Sequence, residues 1–444
     1  MNYSFTLYSI AQISEMHSKK ILFSNFSRAI FSQASCIRPD NEQELTDYRT
    51  HHPQQSILAR GAGLSYNDSC FNTNGIIIDN SRFNHFLDFD EATGIVVCQG
   101  AVTFKDLFLL HPDFIPPVIP GTLHATVAGG AAHDVHGKNN HHAGSFGKHI
   151  IWMDLLLGSQ KIHCSREQNS DLFHATIAGL GLTGIILQMA IRLQRSTRFV
   201  LTKHKQFTTF NALIESMATY GLKHDYQVAW LDLLTPKSRA ILSVANHCES
   251  FANKESSPHT IPKLPFSCIK AWNIKLFNAL FFSCQKSEEK CSLQQFNNPL
   301  DKLKDWNRLY GPKGLIQFQA VFSQELAATT IEQIMQLIKT YRATPTLAVL
   351  KLFTQSGDGL LSFCKPGFTL AIDFIYSKQA TQAIAAMNQL ITEIKGHIYL
   401  AKDLALNDEQ YKKMYEKHGE FSHVLKRYDC HMHSDLATRL GILQ

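Results

Sequence analysis

The chain has 444 residues, a formal net charge of +6, and 44% hydrophobic against 18% charged residues. Single cores rarely grow beyond about 250–300 residues, so this length predicts two domains, with a composition ordinary for a soluble globular enzyme. The mild positive charge suits a phosphate-bearing substrate or an anionic membrane surface, while scattered basic residues with no accompanying motif argue against nucleic acid. The ten Cys form no Cys-x-x-Cys, with Cys284 and Cys291 the nearest pair. Reduced structural thiols in a cytoplasmic protein are therefore expected. The first residues lack the basic and apolar regions of a secretion signal, and no run reaches the roughly 20 apolar residues of a membrane span.

In chain order, the first distinctive feature is Ala59-Arg60-Gly61-Ala62-Gly63-Leu64-Ser65-Tyr66-Asn67-Asp68, a small-residue turn after an apolar run. Residues 75–79 and 94–98 are β-branched runs bounded by turn residues and predict strands. A short helix is expected at 104–110. Residues 120–147 then combine Gly, Ala, Ser and Thr with His and Asn and almost no acid. Small residues let the main chain approach a large ligand, and successive N–H groups in Gly-rich turns make anion-binding nests. Two such turns point to a dinucleotide held between them. An N-cap signature at Asn169 and Ser170 predicts a helix over 171–177, and 184–191 reads as a buried strand. No Gly-x-Gly-x-x-Gly stands where a Rossmann fold would need one, and the βαβ rhythm is missing.

From about residue 198 the texture changes. Amphipathic helices are predicted at 207–220, 329–340 and 380–395, with a strand leading into Trp230. Strand–helix pairs of this kind suit an antiparallel sheet covered on one side by helices. Residues 261–282 interleave Phe, Trp and Leu with Lys263, Lys270 and Lys275. Two readings stand side by side there: an element resting on lipid head groups, or a core helix. Five His fall between 133 and 149, but neither Cys nor carboxylate accompanies them at ligand spacing, so no metal site is expected.

Arg-Gly-x-Gly-x-Ser-Tyr-x-Asp, then Pro-Gly-Thr, Asp-Val-His-Gly-Lys-Asn and Gly-Ser-Phe-Gly, then Gly179-Leu180-Gly181-Leu182-Thr183-Gly184-Ile185 resemble the FAD domain of the vanillyl-alcohol oxidase / p-cresol methylhydroxylase superfamily. The likeness is strongest to its branch of decaprenylphosphoryl-β-D-ribose 2′-epimerase oxidase subunits. It continues through 305–312, 314–319, 350–353, 366–374, 399–403 and 434–437, with a poorly matching patch near 245–300. The resemblance implies an α+β, two-domain flavoprotein. Its PCMH-type FAD-binding domain would span 1–197, completed by 400–444. An antiparallel-sheet substrate domain covered by helices would span 198–399, with a mobile apolar insertion near 250–300.

The resemblance further implies FAD held by Arg60, Gly61, Ala62, Gly63, Leu64, Ser65, Pro120, Gly121, Thr122, Thr126, Gly129, Ala132, Val135, His136, Gly184, Ile185, Tyr399 and Ala401. Leu64 stands where several relatives carry the His that attaches FAD covalently, so the cofactor is expected to be non-covalent. Lys402, His136 and Tyr66 form the expected catalytic set. Trp230, Gln317, Gln319 and Lys351 match substrate-side positions, and Ala371 replaces a Cys that some members carry beside the flavin. The implied activity is hydride transfer from a sugar secondary alcohol to flavin N5. The implied substrate is the 2′-hydroxyl of a polyprenylphosphoryl-β-D-ribose, a lipid-linked sugar phosphate, giving the 2′-keto sugar as the oxidase half of an epimerase pair. An NAD(P)H-dependent short-chain reductase would complete the epimerisation, and the cytoplasmic protein would make peripheral contact with the inner face of the membrane. Oxidation of a soluble alditol or aldonolactone is the alternative within enzymes; a non-catalytic flavin-binding protein is the alternative outside them.

Overall fold

The computed structural model describes residues 16–235, 238–251 and 259–443. The N-terminal stretch in which no secretion signal was expected lies outside these. Three sheets carry the architecture. The first has four strands in the order Lys19–Ser24, Phe31–Ile37, Ile76–Asp79, Ile57–Arg60; its last two pairings are parallel. Ile76, Ile77 and Ile78 are all buried, as a run of branched apolar residues covered on both faces must be. The second sheet is antiparallel, in the order Phe86–Asp90, Ile95–Gln99, Ile185–Arg192, Ile150–Leu157, Gln160–Ser165.

The expected helix Phe104–Leu110 is fixed at its start by a reciprocal capping box between Thr103 and Asp106. A helix also forms at Ser170–Thr176, but Asn169 does not cap it. Asn169 takes a left-handed conformation, φ 47°, and its amide donates to the His163 carbonyl at 2.7 Å.

The third sheet has eight antiparallel strands: Glu288–Ser292, Phe199–Phe207, Ala240–His247, Tyr226–Leu231, Pro345–Phe353, Gly367–Ile375, Leu315–Phe322, His397–Ile398. Helices Phe210–Thr219, Ala327–Tyr341 and Lys378–Glu393 pack together against it. Helix Ala327–Tyr341 buries Ala327, Thr330, Ile331, Ile334 and Ile338, the 3-4 spacing of a core-facing stripe. The helix expected from 207 starts at Phe210, because Phe207 is still paired with Ala240 in the sheet. This is an α+β, two-domain molecule. The C-terminal segment returns to the first sheet: the His433 N–H donates to the Ile57 carbonyl at 2.8 Å, and Arg439 binds Asp68 and Asp403.

Residues 261–282 are not core. Their helix, Ala271–Ser283, leaves Trp272 69% exposed and Phe277 56% exposed, with Leu276, Leu280 and Phe281 also in solvent. Each such side chain forgoes about 1.5–3 kcal/mol that burial would give. All ten cysteines are free thiols. Among the described residues no helix is long and apolar enough to cross a membrane.

Candidate active site

The two glycine-rich turns predicted from sequence meet in space. A Cβ on Gly61 would stand 2.4 Å from Thr126 Oγ1, so the first turn lies directly on the second. Ser65 and Ser69 hydroxyls both reach His133 Nε2 at 3.4 Å. Gly63 takes φ 65°, a conformation glycine adopts without penalty, with the Arg60 guanidinium tucked beneath it. Arg60 bonds the Ser24 carbonyl at 3.2 Å and lies over the Phe23 ring, so it braces the turn from behind. Among the described residues, no backbone N–H from Gly61 through Ser65 has a protein partner. A row of free donors in a part-exposed turn fits the pyrophosphate of a dinucleotide.

On the second turn, the Pro120 carbonyl accepts from Asn298 at 2.7 Å and Gly121 borders open space. Thr122 bonds Asp301, Thr126 caps the short helix Val127–Ala132 through Gly129 N–H, and Ala132 and Val135 stay half-exposed. Gly184 and Ile185 are buried in the second sheet, with Gly184 facing Arg49, Ile57 and Met432 across a small gap. They are not brought into the Lys402 cluster described next.

Register explains the opposite wall. Trp230 pairs with Val349, Val349 with Ala371, and Ala371 with Gln319; Lys351 pairs with Thr369, and Gln317 with Asp373. Directly paired residues point to the same side of a sheet, so one face carries Trp230, Lys351, Thr369, Asp373, Gln317 and Gln319. The alternate residues, such as Phe318, Leu350, Leu370, Ile372 and Phe374, form the buried core under the helices. The polar face meets residues 133–138 and 399–402. Gln319 Nε2 donates to His136 Nε2 at 3.0 Å and to Thr369 at 3.2 Å. The Tyr399 hydroxyl donates to the His133 carbonyl at 3.0 Å, and Phe353, Phe363 and Tyr399 surround the His136 ring. Tyr66 N–H donates to the Ala401 carbonyl at 3.2 Å, and Lys402 Nζ lies 3.5 Å over the Tyr66 ring.

The site carries three lysines, with Asp373 and Asp134 as its buried acids. Among the described residues neither Lys351 nor Lys402 forms an ion pair. Burial pushes Lys351 down to about 8. Burial, and then the charge of Lys351, push Lys138 down to about 7; its Nζ donates to the Phe296 carbonyl at 2.5 Å. Lys402 is lowered by burial, with Asp373 opposing the shift. Asp373 is raised by burial, with a hydrogen bond from Gln317 opposing. Burial, reinforced by Lys351 and Lys402, holds His136 far below the usual imidazole range, so it is neutral. An amine able to lose its proton near neutral pH, a neutral imidazole and two amides can together remove a hydroxyl proton and fix a polyol.

His136, Tyr66, Lys402, Gln317, Gln319 and Lys351 are thus brought into one neighbourhood, and Trp230 lies on the same sheet face. Lys138 and Asp373 belong there too and were not singled out from sequence. The signal for Asp373 was a charged residue inside an otherwise apolar run, visible as such only once the sheet face is known. His141, His142 and His149 bond backbone carbonyls, and no metal-binding group occurs among the described residues. A separate cleft of about 1280 Å³, lined by Lys105, Phe108, Arg195, Glu249 and Asp301 among others, contains none of the expected site residues.

Residues 34–165 match the family model described as an FAD binding domain. The chain is 30% identical to decaprenylphosphoryl-beta-D-ribose oxidase of Mycolicibacterium smegmatis, over 88% of this chain and 90% of that protein. It is 26% identical to a putative D-arabinono-1,4-lactone oxidase of Neurospora crassa over 35% of this chain and 29% of that protein. It is 32% identical to cytokinin dehydrogenase 9 of Oryza sativa subsp. japonica over 46% and 42% respectively.

Proposed function

The chain belongs to the vanillyl-alcohol oxidase / p-cresol methylhydroxylase-type FAD-dependent oxidoreductases, and from that premise we propose that it oxidises the 2′-hydroxyl of a polyprenylphosphoryl-β-D-ribose to the ketone. The observation that carries this reading is a cluster of half-buried amines: Lys138, Lys351 and Lys402 lie near a neutral His136, with Asp373 and Asp134 as the buried acids. Half-buried amines without an ion pair carry a desolvation cost when protonated, and an anionic ligand offsets it. A sugar phosphate supplies that anion, and a neutral alditol does not.

FAD, held by residues 61–65, 120–122 and 126–136, would supply the two-electron acceptor for the carbinol hydrogen. Lys402 takes the hydroxyl proton at Nζ, because its lowered affinity for protons leaves neutral amine available and no ion pair occupies it. The His136 Nε2 lone pair is engaged by Gln319, so His136 orients rather than accepts. Gln317 and Gln319 receive sugar hydroxyls, Lys351 meets the phosphate, and Trp230 walls the ring. A short-chain NAD(P)H-dependent reductase would consume the keto sugar in the second half of an epimerisation.

The test is anaerobic bleaching of the purified flavoprotein by a panel of lipid-linked pentose phosphates, alditols and aldonolactones. Bleaching by the lipid-linked ribose phosphate alone supports the proposal; preference for an alditol or lactone replaces the substrate; no bleaching by any member refutes catalysis. Lys402→Ala is expected to keep its flavin and lose at least about a hundredfold in bleaching rate.

A further inference from the structure

The helix Ala271–Ser283 is built inside out. Its buried side chain is polar: Asn278 donates to Asp232 Oδ1 at 2.9 Å. Its apolar side chains face solvent, with Trp272, Leu276 and Leu280 one turn apart and Phe277 and Phe281 beside them, the two rings stacked at 5.8 Å. Phe266, 61% exposed, extends the patch from the preceding loop. The loop is held: Cys268 N–H donates to the Leu309 carbonyl at 2.9 Å, and Arg308 Nη1 bonds the Ile261 carbonyl at 2.8 Å. The helix is fastened as well, since Gln206 bonds the Phe282 carbonyl. A contiguous apolar surface held rigidly in water marks a contact surface.

Charge selects the occupant. Residues 259–287 contain Lys263, Lys270, Lys275 and Lys286 and no Asp or Glu. All four lysines are exposed. Lys286 pairs with Glu289 at 3.9 Å, but Lys263, Lys270 and Lys275 have no ion pair among the described residues. Exposed aromatic and leucine side chains with such lysines are the composition of an element that lies in the head-group region of an anionic bilayer, which presents negative charge over its whole surface. Position gives the contact a purpose. Phe281 packs edge-on against Trp230 at 5.1 Å, and Trp230 shares the cleft face with Lys351.

We propose that this helix and the loop before it seat the protein on anionic phospholipid at the cleft's edge, so that a substrate with a membrane-embedded tail presents its sugar phosphate to the site without leaving the bilayer. The placement deepens the lipid-linked substrate reading, while the surface itself is argued independently of it.

The test is co-sedimentation of the intact flavoprotein with phosphatidylcholine vesicles, with and without phosphatidylglycerol, in the absence of substrate. Binding is expected only with phosphatidylglycerol, weakening with salt. Lys263→Glu/Lys270→Glu/Lys275→Glu should weaken it at least about tenfold, as should Trp272→Ser/Leu276→Ser/Phe277→Ser. Both variants alter exposed side chains outside the cleft, so flavin content and bleaching by substrate in detergent should stay unchanged. Equal binding of wild type and both variants, or none by any, overturns the proposal. So does loss of a dimer in the serine variant without vesicle binding by the wild type, which would assign the patch to self-association. Vesicle binding without bleaching by lipid-linked sugars would leave this proposal standing and remove the substrate reading; bleaching in detergent without vesicle binding would do the reverse.

Discussion

Asp373 and Lys402 set each other's protonation, and that coupling can be tested at single residues. Burial lowers Lys402 and the nearby carboxylate opposes it, so a base at Lys402 must lose its proton before it can act. The rate of anaerobic bleaching should therefore rise with pH through the Lys402 titration and then level. Asp373→Asn removes the group that raises Lys402, so the rising limb should move to lower pH while the plateau persists. A limb that stays in place, or moves up, would separate Asp373 from the base. The same scale decides how the cofactor is held. Leu64 has no nucleophilic atom, so acid precipitation should release the yellow colour into the supernatant, and colour retained in the pellet would overturn this.

Between elements, the contact of the two glycine turns is the most constrained feature. Gly61→Ala would place a methyl 2.4 Å from Thr126 Oγ1, the atom that caps Val127–Ala132. Either the cap breaks, at about 1 kcal/mol, or the turns part and the donor row tilts away from the pyrophosphate. FAD affinity should fall at least about tenfold by fluorescence titration. The double variant Gly61→Ala/Thr126→Ala, which removes the obstructing hydroxyl, should recover part of it; no recovery would mean that the clash is not the cause. These turns were legible in sequence because a local run of small residues has few other uses. So were the helices at 327–341 and 378–393, whose stripes are local and periodic. The cleft wall was not. Asp373 sits in Phe368-Thr369-Leu370-Ala371-Ile372-Asp373-Phe374, where alternation marks two faces without saying which is core, and the answer comes from partners some 55 residues away such as Gln317. The helix at 271–283 stayed open between lipid and core because composition is the same for an apolar stripe turned inward or outward. Only Asn278 bonding Asp232 shows which way it faces.

For the whole molecule, the cation cluster sets function against stability. Lys351 titrates at about 8 in the fold against its ordinary 10.5. A group depressed in this way favours the unfolded chain wherever that chain is protonated and the native one resists it. The cost is complete below about 8 and vanishes as pH rises past 10.5. Lys351→Met keeps the stem's volume and removes the charge, so the substrate-free flavoprotein should gain about 2 kcal/mol near neutral pH, seen as a higher Tm. The gain should shrink towards pH 10. Lys138→Met offers a control within the same cluster. Lys138 is pushed further down, to about 7, so the same argument predicts at least as large a gain, although its ammonium has the Phe296 carbonyl at 2.5 Å and the Phe296 ring at 4.5 Å. If Lys351 meets the substrate phosphate, its variant should also require at least about tenfold more lipid-linked sugar phosphate for half-maximal bleaching. A stabilised Lys351→Met that still bleaches at wild-type substrate concentration would place the phosphate elsewhere in the cleft.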